Sequence, residues 1–376
     1  MKTEGKFAKL ALLAIMGSLL LSLGTLAMAE SDAARAIRAS AANVPTNIPG
    51  IYAYAEPPKG FSPLTATEVE LATYGFPPRP DKQADPDQYA LWERVMKAAK
   101  IRWNGELKPL PSRGHGMTPS GSSPLPAAFQ PETSGPKRIS TVNASGVIVA
   151  SGQKTFTKNS IHAVGASIVV PTVQGPFGTT SCPADGYVVS AVGIDGYFDN
   201  GDAYDPELEA GVGEVAPCTG SNYYAAIVGW QSYYVAAFDV YPGDVVYAEA
   251  STQGGSNSSV SLDDLTTGSY FVVSVDTSGM VGATANWIVE RLCCNDSVWF
   301  PLANTVNVAF GNSSAEKGDL FLFPGSQAST TEVLTMTDDA GDQYIEAVSQ
   351  GSAGNEGLTG LWFQTEGCAY QNGCNP

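Results

Sequence analysis

Two glutamates stand in stretches that otherwise read as buried strands. Glu290 lies in "TANWIVERL" (284–292) and Glu209 in "ELEAGVG" (207–213). Side chains along a strand alternate between faces, so Asn286, Ile288 and Glu290 share one face, while Leu208 and Ala210 lie opposite Glu209. A charge on an apolar sheet needs a partner or a purpose. Other chemistries find little support. The chain has only two histidines, His115 and His162. A zinc site built on several histidines is excluded, and a Ser-His-Asp triad would have to rest on His162. There is no G-x-S-x-G elbow, phosphate-binding loop or dinucleotide fingerprint. The acidic stretch 195–214 holds Asp199, Asn200, Asp202 and Asp205, oxygen donors of the type that calcium takes. Their spacing is not that of an EF-hand, and a solvated loop is expected. No metal or cofactor is expected, and carboxylate chemistry remains.

The elements that carry these glutamates belong to a β-rich region, 139–351. It is rich in Val, Thr, Ser, Tyr and Gly, in short runs such as "SGVIVASG", "YVVSAVGIDG" and "GSYFVVSVD", broken by Pro-Gly and Gly-Asp turns. Regular short strands of this kind predict an all-β fold, an antiparallel β-sandwich or barrel. Ahead of it, residues 30–108 read as a small helical segment. "DPDQYALWERVMKAAKIRW" has Asp85 as N-cap, Pro86 in the first turn and Leu91, Val95 and Ala99 every fourth residue. Thr65 and Glu68 in "TATEVELA" fit a capping box. Residues 109–138 are rich in Pro, Ser and Gly and read as a linker closed by the dibasic pair Lys137-Arg138. The segment before it is either a propeptide or a permanent accessory segment. Residues 352–376 form a tail with two cysteines.

Residues 1–29 read as a cleaved signal peptide, with Lys2, Lys6 and Lys9 before an apolar run and Ala27 and Ala29 before the cut. No later apolar run is long enough to span a bilayer. The expected product is a secreted, extracellular or periplasmic monomer without a membrane anchor. Export permits disulfides. Six cysteines remain, with Cys368–Cys374 and Cys182–Cys218 as candidate pairs, and adjacent Cys293 and Cys294 placed to reach the tail. Residues 30–136 carry 11 basic and 11 acidic side chains, whereas residues 137–376 carry 6 and 25. That imbalance argues against nucleic-acid partners, because no basic patch can engage phosphates.

Several stretches resemble the glutamic peptidases, or eqolisins, over about residues 141–315. "NASGVIVASG" with "GASIVVPTV" is similar to the family's opening strands, "AVGIDG" to W-V-G-I-D-G, and "LEAGV" to L-Q-[TA]-G-V. "NWIVE" with "PLANTVNVAFGNSSA" is similar to A-E-W-I-V-E and the following strand. "TATEVELATYGFPPRP" resembles the leader of some bacterial members. The resemblance implies a sandwich of two bent antiparallel sheets, of concanavalin A-like type, with a cleft on a concave face. It also implies a secreted, acid-active endopeptidase acting on polypeptides. In that family a Glu acts as general base on water and a Gln holds the water and stabilises the oxyanion. By position the Glu is Glu290 and the Gln is Glu209; Trp230, Tyr233, Asp195 and Asn286 are expected to contact substrate.

The chain departs from the family pattern at several positions. Ala144 and Ala191 replace tryptophans. "IVGW" replaces W-Y-E-W, so Ile227 and Gly229 stand for Trp and Glu while Trp230 stays. Asn286 replaces the Glu before W-I-V-E. Glu209 replaces Gln, yet a protonated Glu is nearly isosteric with Gln and still offers a donor. Activity is therefore expected only in acid, at about pH 3–4, where one carboxyl keeps its proton. A second reading is a catalytically inactive sandwich that binds peptide or carbohydrate, with Tyr223, Tyr224, Trp230, Tyr233 and Tyr234 lining its cleft. A third is a disulfide-stabilised surface protein.

Overall fold

The computed structural model describes residues 32–83, 86–98, 100–101, 106–110, 137–141, 143–150, 160–174, 185–196, 207–230, 233–252, 257–292, 302–305, 308–317, 320–324, 331–337, 343–346 and 358–360. The signal peptide, most of the linker and tail, every cysteine except Cys218, the acidic residues 199–205, and Asp85 and Ala99 of the expected helix lie outside them.

The main elements in chain order are helices α1 (Asp32–Ala41), α2 (Glu68–Thr73) and α3 (Pro86–Ala98), then fourteen strands. These are β1 (Lys137–Thr141), β2 (Ala144–Ala150), β3 (Ala163–Val169), β4 (Gly186–Ile194), β5 (Leu208–Ala216), β6 (Tyr223–Trp230) and β7 (Tyr233–Asp239). They continue with β8 (Val245–Thr252), β9 (Asn257–Asp264), β10 (Ser269–Asp276), β11 (Thr284–Glu290), β12 (Val308–Lys317), β13 (Thr331–Thr337) and β14 (Gln343–Glu346). Shorter strands join the two large sheets, apart from Val173–Gln174 and Asn304–Thr305, which pair with each other.

The front sheet runs β14-β13-β2-β11-β4-β5-β6-β7, and Lys108–Pro109 pairs at the β7 edge. The back sheet runs from Ile51–Ala53 through β10-β9-β8-β3-β12. Pairing is antiparallel except where β1 joins β13 and Lys100–Ile101 joins β10. The all-β sandwich expected from the short alternating runs is the fold observed.

Alternation decides what fills the space between the sheets. Val188, Val192 and Ile194 of β4, Leu208, Ala210 and Val212 of β5, and Trp287 and Val289 of β11 point inward. There they meet Val164, Ala166 and Ile168 of β3 and Val246, Ala248 and Ala250 of β8 in one buried cluster. The Trp287 indole N–H is satisfied by the Gly165 carbonyl at 3.2 Å. The odd-numbered residues of β4 and β5, and the even-numbered residues of β11, are thereby turned to the outer face of the front sheet.

The N-terminal segment carries three helices rather than the two read from the sequence. It packs around Leu71, Phe76, Trp92 and Met96 against Tyr270 on the outer side of the back sheet. The capping box forms at Thr67 and Glu70, not at Thr65 and Glu68. The Thr65 and Ala66 N–H groups both donate to the Ser62 carbonyl, so the chain at Thr65 is already in a turn. Thr67 has the extended backbone an N-cap needs (φ −73°, ψ 162°). The segment also enters the sandwich. Ile51 and Leu107 belong to the inter-sheet cluster, and the Asn47 side-chain amide fastens Leu107 by donating to its carbonyl and accepting its N–H, each at 2.7 Å. The linker edges expected at 108/109 and 138/139 each fall inside a paired strand, Lys108–Pro109 and Lys137–Thr141.

Candidate active site

On the outer face of the front sheet, the register sets Gly193 of β4 between Glu209 of β5 and Asn286 of β11. Gly229 of β6 lies on the other side of Glu209, and Tyr234 of β7 lies beside Gly229. Glu290 sits four residues along β11 from Asn286, so it keeps the same face. Three strands, β5, β7 and β11, thus deliver two carboxyls, an amide and a phenol to one side of the sheet, with the glycines of β4 and β6 between them. Glu209, Glu290, Asn286 and Tyr234 are all buried.

The Tyr234 hydroxyl lies within hydrogen-bond reach of Oε2 of Glu209 and Oε2 of Glu290. A phenol has one proton. It can donate to one carboxyl only, so the other contact is a hydrogen bond only if that carboxyl is itself protonated and donates back. The Asn143 amide donates to Oε1 of Glu290 at 3.2 Å. Oε1 of Glu209 is buried and has no hydrogen-bond partner among the described residues.

Burial disfavours charge here. It pushes the Glu209 carboxyl up to about 7, against the lowering effect of the Tyr234 hydrogen bond. Glu207, just before β5, is pushed well above the ordinary range by burial and by its neighbours Glu209 and Glu290. The Tyr234 phenol is held well above its ordinary range by burial and by the same three carboxyls.

Asp195 and Asn286 build the frame. Asp195 ends β4 with a left-handed backbone, φ 66°. Its carboxylate accepts the N–H groups of Val281 and Gly282 on Oδ2 (2.7 and 2.6 Å) and of Ala283 and Thr284 on Oδ1 (2.7 and 3.3 Å). Burial raises its carboxyl above the ordinary range, and these four donors oppose that rise. This clamp ties the start of β11 to the end of β4. The Asn286 amide donates to the Asp195 carbonyl and to Oε1 of Glu207, each at 2.9 Å. A Cβ on Gly193 would stand 2.5 Å from the Asn286 carbonyl oxygen, so only glycine leaves that side chain its place.

The structure therefore gathers Glu209, Glu290, Asn286 and Asp195, with Asp195 acting through backbone contacts. It does not gather Trp230 and Tyr233. Trp230 belongs to the inter-sheet cluster and pairs laterally with Tyr233, which is exposed at the rim; both face away from Glu209. Their expected contact with substrate at this site has no geometric support, because a strand turns alternate residues to opposite sides. Tyr234, one residue on, is the aromatic that meets the carboxyls. The sequence reading of an inactive sandwich named Tyr234 among five cleft aromatics without setting it against the carboxyls, and it gave no role to Glu207 or Asn143. The signal for Glu207 was present: it stands two residues before Glu209, the spacing that shares a strand face.

The sequence model of the Peptidase A4 family matches residues 143–354. No curated protein sequence matches the chain. Among solved structures, scytalido-glutamic peptidase with a transition-state analog inhibitor is similar at 18% identity, with a TM-score of 0.47. That match covers 59% of this chain and 98% of the other. SCP-B, a member of the eqolisin family in complex with the tripeptide Ala-Ile-His, is similar at 16% identity and TM-score 0.44, over 59% and 98%. Aspergilloglutamic peptidase from Aspergillus niger follows at 24% identity and TM-score 0.40, over 47% and 99%.

Proposed function

The chain belongs to the Peptidase A4 family, a family of peptidases, and on that premise we propose a secreted, acid-active endopeptidase that uses two glutamates. Glu290 is the general base. It takes a proton from a water molecule as the water oxygen attacks the peptide carbonyl, and later gives that proton to the leaving amine. Glu209, protonated, donates its O–H to the oxyanion that forms. It thereby serves where the family pattern has Gln.

The observation that carries this reading is the meeting of two buried carboxyls at one hydroxyl, with Oε1 of Glu209 left without a partner among the described residues. Such a pair favours one proton shared between two acids over two negative charges. Burial holds the Glu209 proton up to about pH 7, so the donor survives over a wider range than an exposed carboxyl would allow. The substrate class is polypeptide.

The full chain should cleave an unfolded polypeptide at about pH 4 and lose that cleavage by about pH 9, two units beyond the Glu209 titration. Equal cleavage at both values would remove the need for a protonated Glu209. No cleavage at either would favour the inactive sandwich that binds peptide without cutting it.

A further inference from the structure

We infer that Tyr234 is a third, positioning member of this site: its hydroxyl, donating to one carboxyl and accepting from the other, ties Glu209 and Glu290 into one unit that carries one shared proton, and Gly229 is the residue that lets it do so. The inference rests on the two-glutamate reading and deepens it.

The geometry is specific to this chain's own departures. A Cβ on residue 229 would stand 2.7 Å from Cε1 of the Tyr234 ring and 2.8 Å from Oε2 of Glu209. Any side chain there would push the ring off the acid. The sequence has Gly229 where the family pattern has Glu, and Glu209 where it has Gln. One contact unites both changes: removing the side chain at 229 opens the path along which the phenol reaches the new acid. Tyr234 itself is fixed by its backbone, since its carbonyl accepts the Leu110 N–H at 2.8 Å.

The chemistry follows from proton counting. With both carboxyls ionised, the phenol satisfies one and leaves the other buried and charged beside an oxygen. With one carboxyl protonated, each contact has a donor in the resting site: the Glu209 acid donates to the phenol oxygen and the phenol donates to the Glu290 carboxylate, and the Glu209 O–H leaves the phenol for the oxyanion as that charge forms. Among the described residues, the ionisable groups that act on this phenol are Glu209, Glu290 and Glu207, all acidic. Tyr234 thus disfavours the doubly ionised pair and holds the two carboxyls at one separation.

The test is the pH–rate profile of the full-length protein with Tyr234→Phe. Without the phenol oxygen that accepts the acid's proton, the doubly ionised pair is less disfavoured, so the last proton is lost at lower pH. We expect the alkaline limb to move down by about one pH unit, kcat to fall about 10- to 100-fold, and KM to stay within about twofold. Gly229→Ala, which displaces the ring without removing the hydroxyl, should move the limb the same way; it serves if Tyr234→Phe does not fold. In a Glu209→Gln background neither change should move the limb, because an amide does not titrate. A wild-type alkaline limb that vanishes in Glu209→Gln supports the two-glutamate reading whatever Tyr234 does. Unmoved limbs in both Tyr234→Phe and Gly229→Ala, or a loss confined to KM, overturn the role given to Tyr234.

Discussion

At the scale of single residues, the site depends on which atom carries a proton. Glu209 titrates at about 7 because it is buried. Replacing it with Gln keeps size and a donor while removing the titration. Glu209→Gln should therefore stay active in acid and extend activity above pH 7; the pH–rate profile reads this, and an unchanged alkaline limb speaks against Glu209. Asp195 makes a different demand. Asp195→Asn turns one of its two acceptor oxygens into an NH2 group, so at least one of the four backbone N–H groups it serves would lose its acceptor. The expected cost is about 2–3 kcal/mol in urea unfolding. Both glutamates were legible in the sequence, since carboxylates inside apolar alternation stand out. Tyr234 was not, because "SYYVAAF" offers two tyrosines and no local feature says which one faces the site. That choice is made by the pairing of β6 with β7, which opposes Gly229 to Tyr234.

At the scale of elements, two devices position the chemistry: the Asp195 clamp between β4 and β11, and the N-terminal segment along the sheet edges. The segment covers the outer side of the back sheet, extends β10 through Ile51–Ala53 and lays Lys108–Pro109 beside β7. Its residues Ile51 and Leu107 are 3% and 2% exposed, inside the inter-sheet cluster. Leu107→Ala should cost about 2–5 kcal/mol in chemical unfolding. A cost under about 0.5 kcal/mol would mean that the segment rests on the sandwich without supporting it. The strands were legible because period-two alternation with Pro-Gly and Gly-Asp turns survives every substitution away from the family pattern. The way the N-terminal segment docks was not, because helix periodicity reports a buried stripe and not the surface that buries it. The same limit explains the capping box: two overlapping Ser/Thr-x-x-Glu matches satisfy the local rule, and the Ser62 turn selects the second.

At the scale of the whole molecule, acidity is built into the interior as well as the surface. Residues 137–376 carry 25 acidic side chains against 6 basic ones. Glu207, Glu209, Glu214 and Asp263 are buried, and burial raises each carboxyl. A carboxyl raised in the folded state adds stability that is fully present below its unfolded titration and is lost as pH rises through its folded one. For Glu209 the loss runs from the ordinary Glu range to about 7 and amounts to about 3 kcal/mol. The protein should therefore unfold at a higher temperature at about pH 4 than at about pH 8. A thermal midpoint that rises across this interval would contradict the direction given to these groups. The central claim concerns Glu290, and it is tested most directly by kcat/KM of the full-length protein on an unfolded polypeptide at about pH 4, wild type beside Glu290→Gln. Loss of the general base predicts a fall of about 10²- to 10⁴-fold with the fold retained, whereas a variant within a few-fold of wild type would show that the base lies elsewhere.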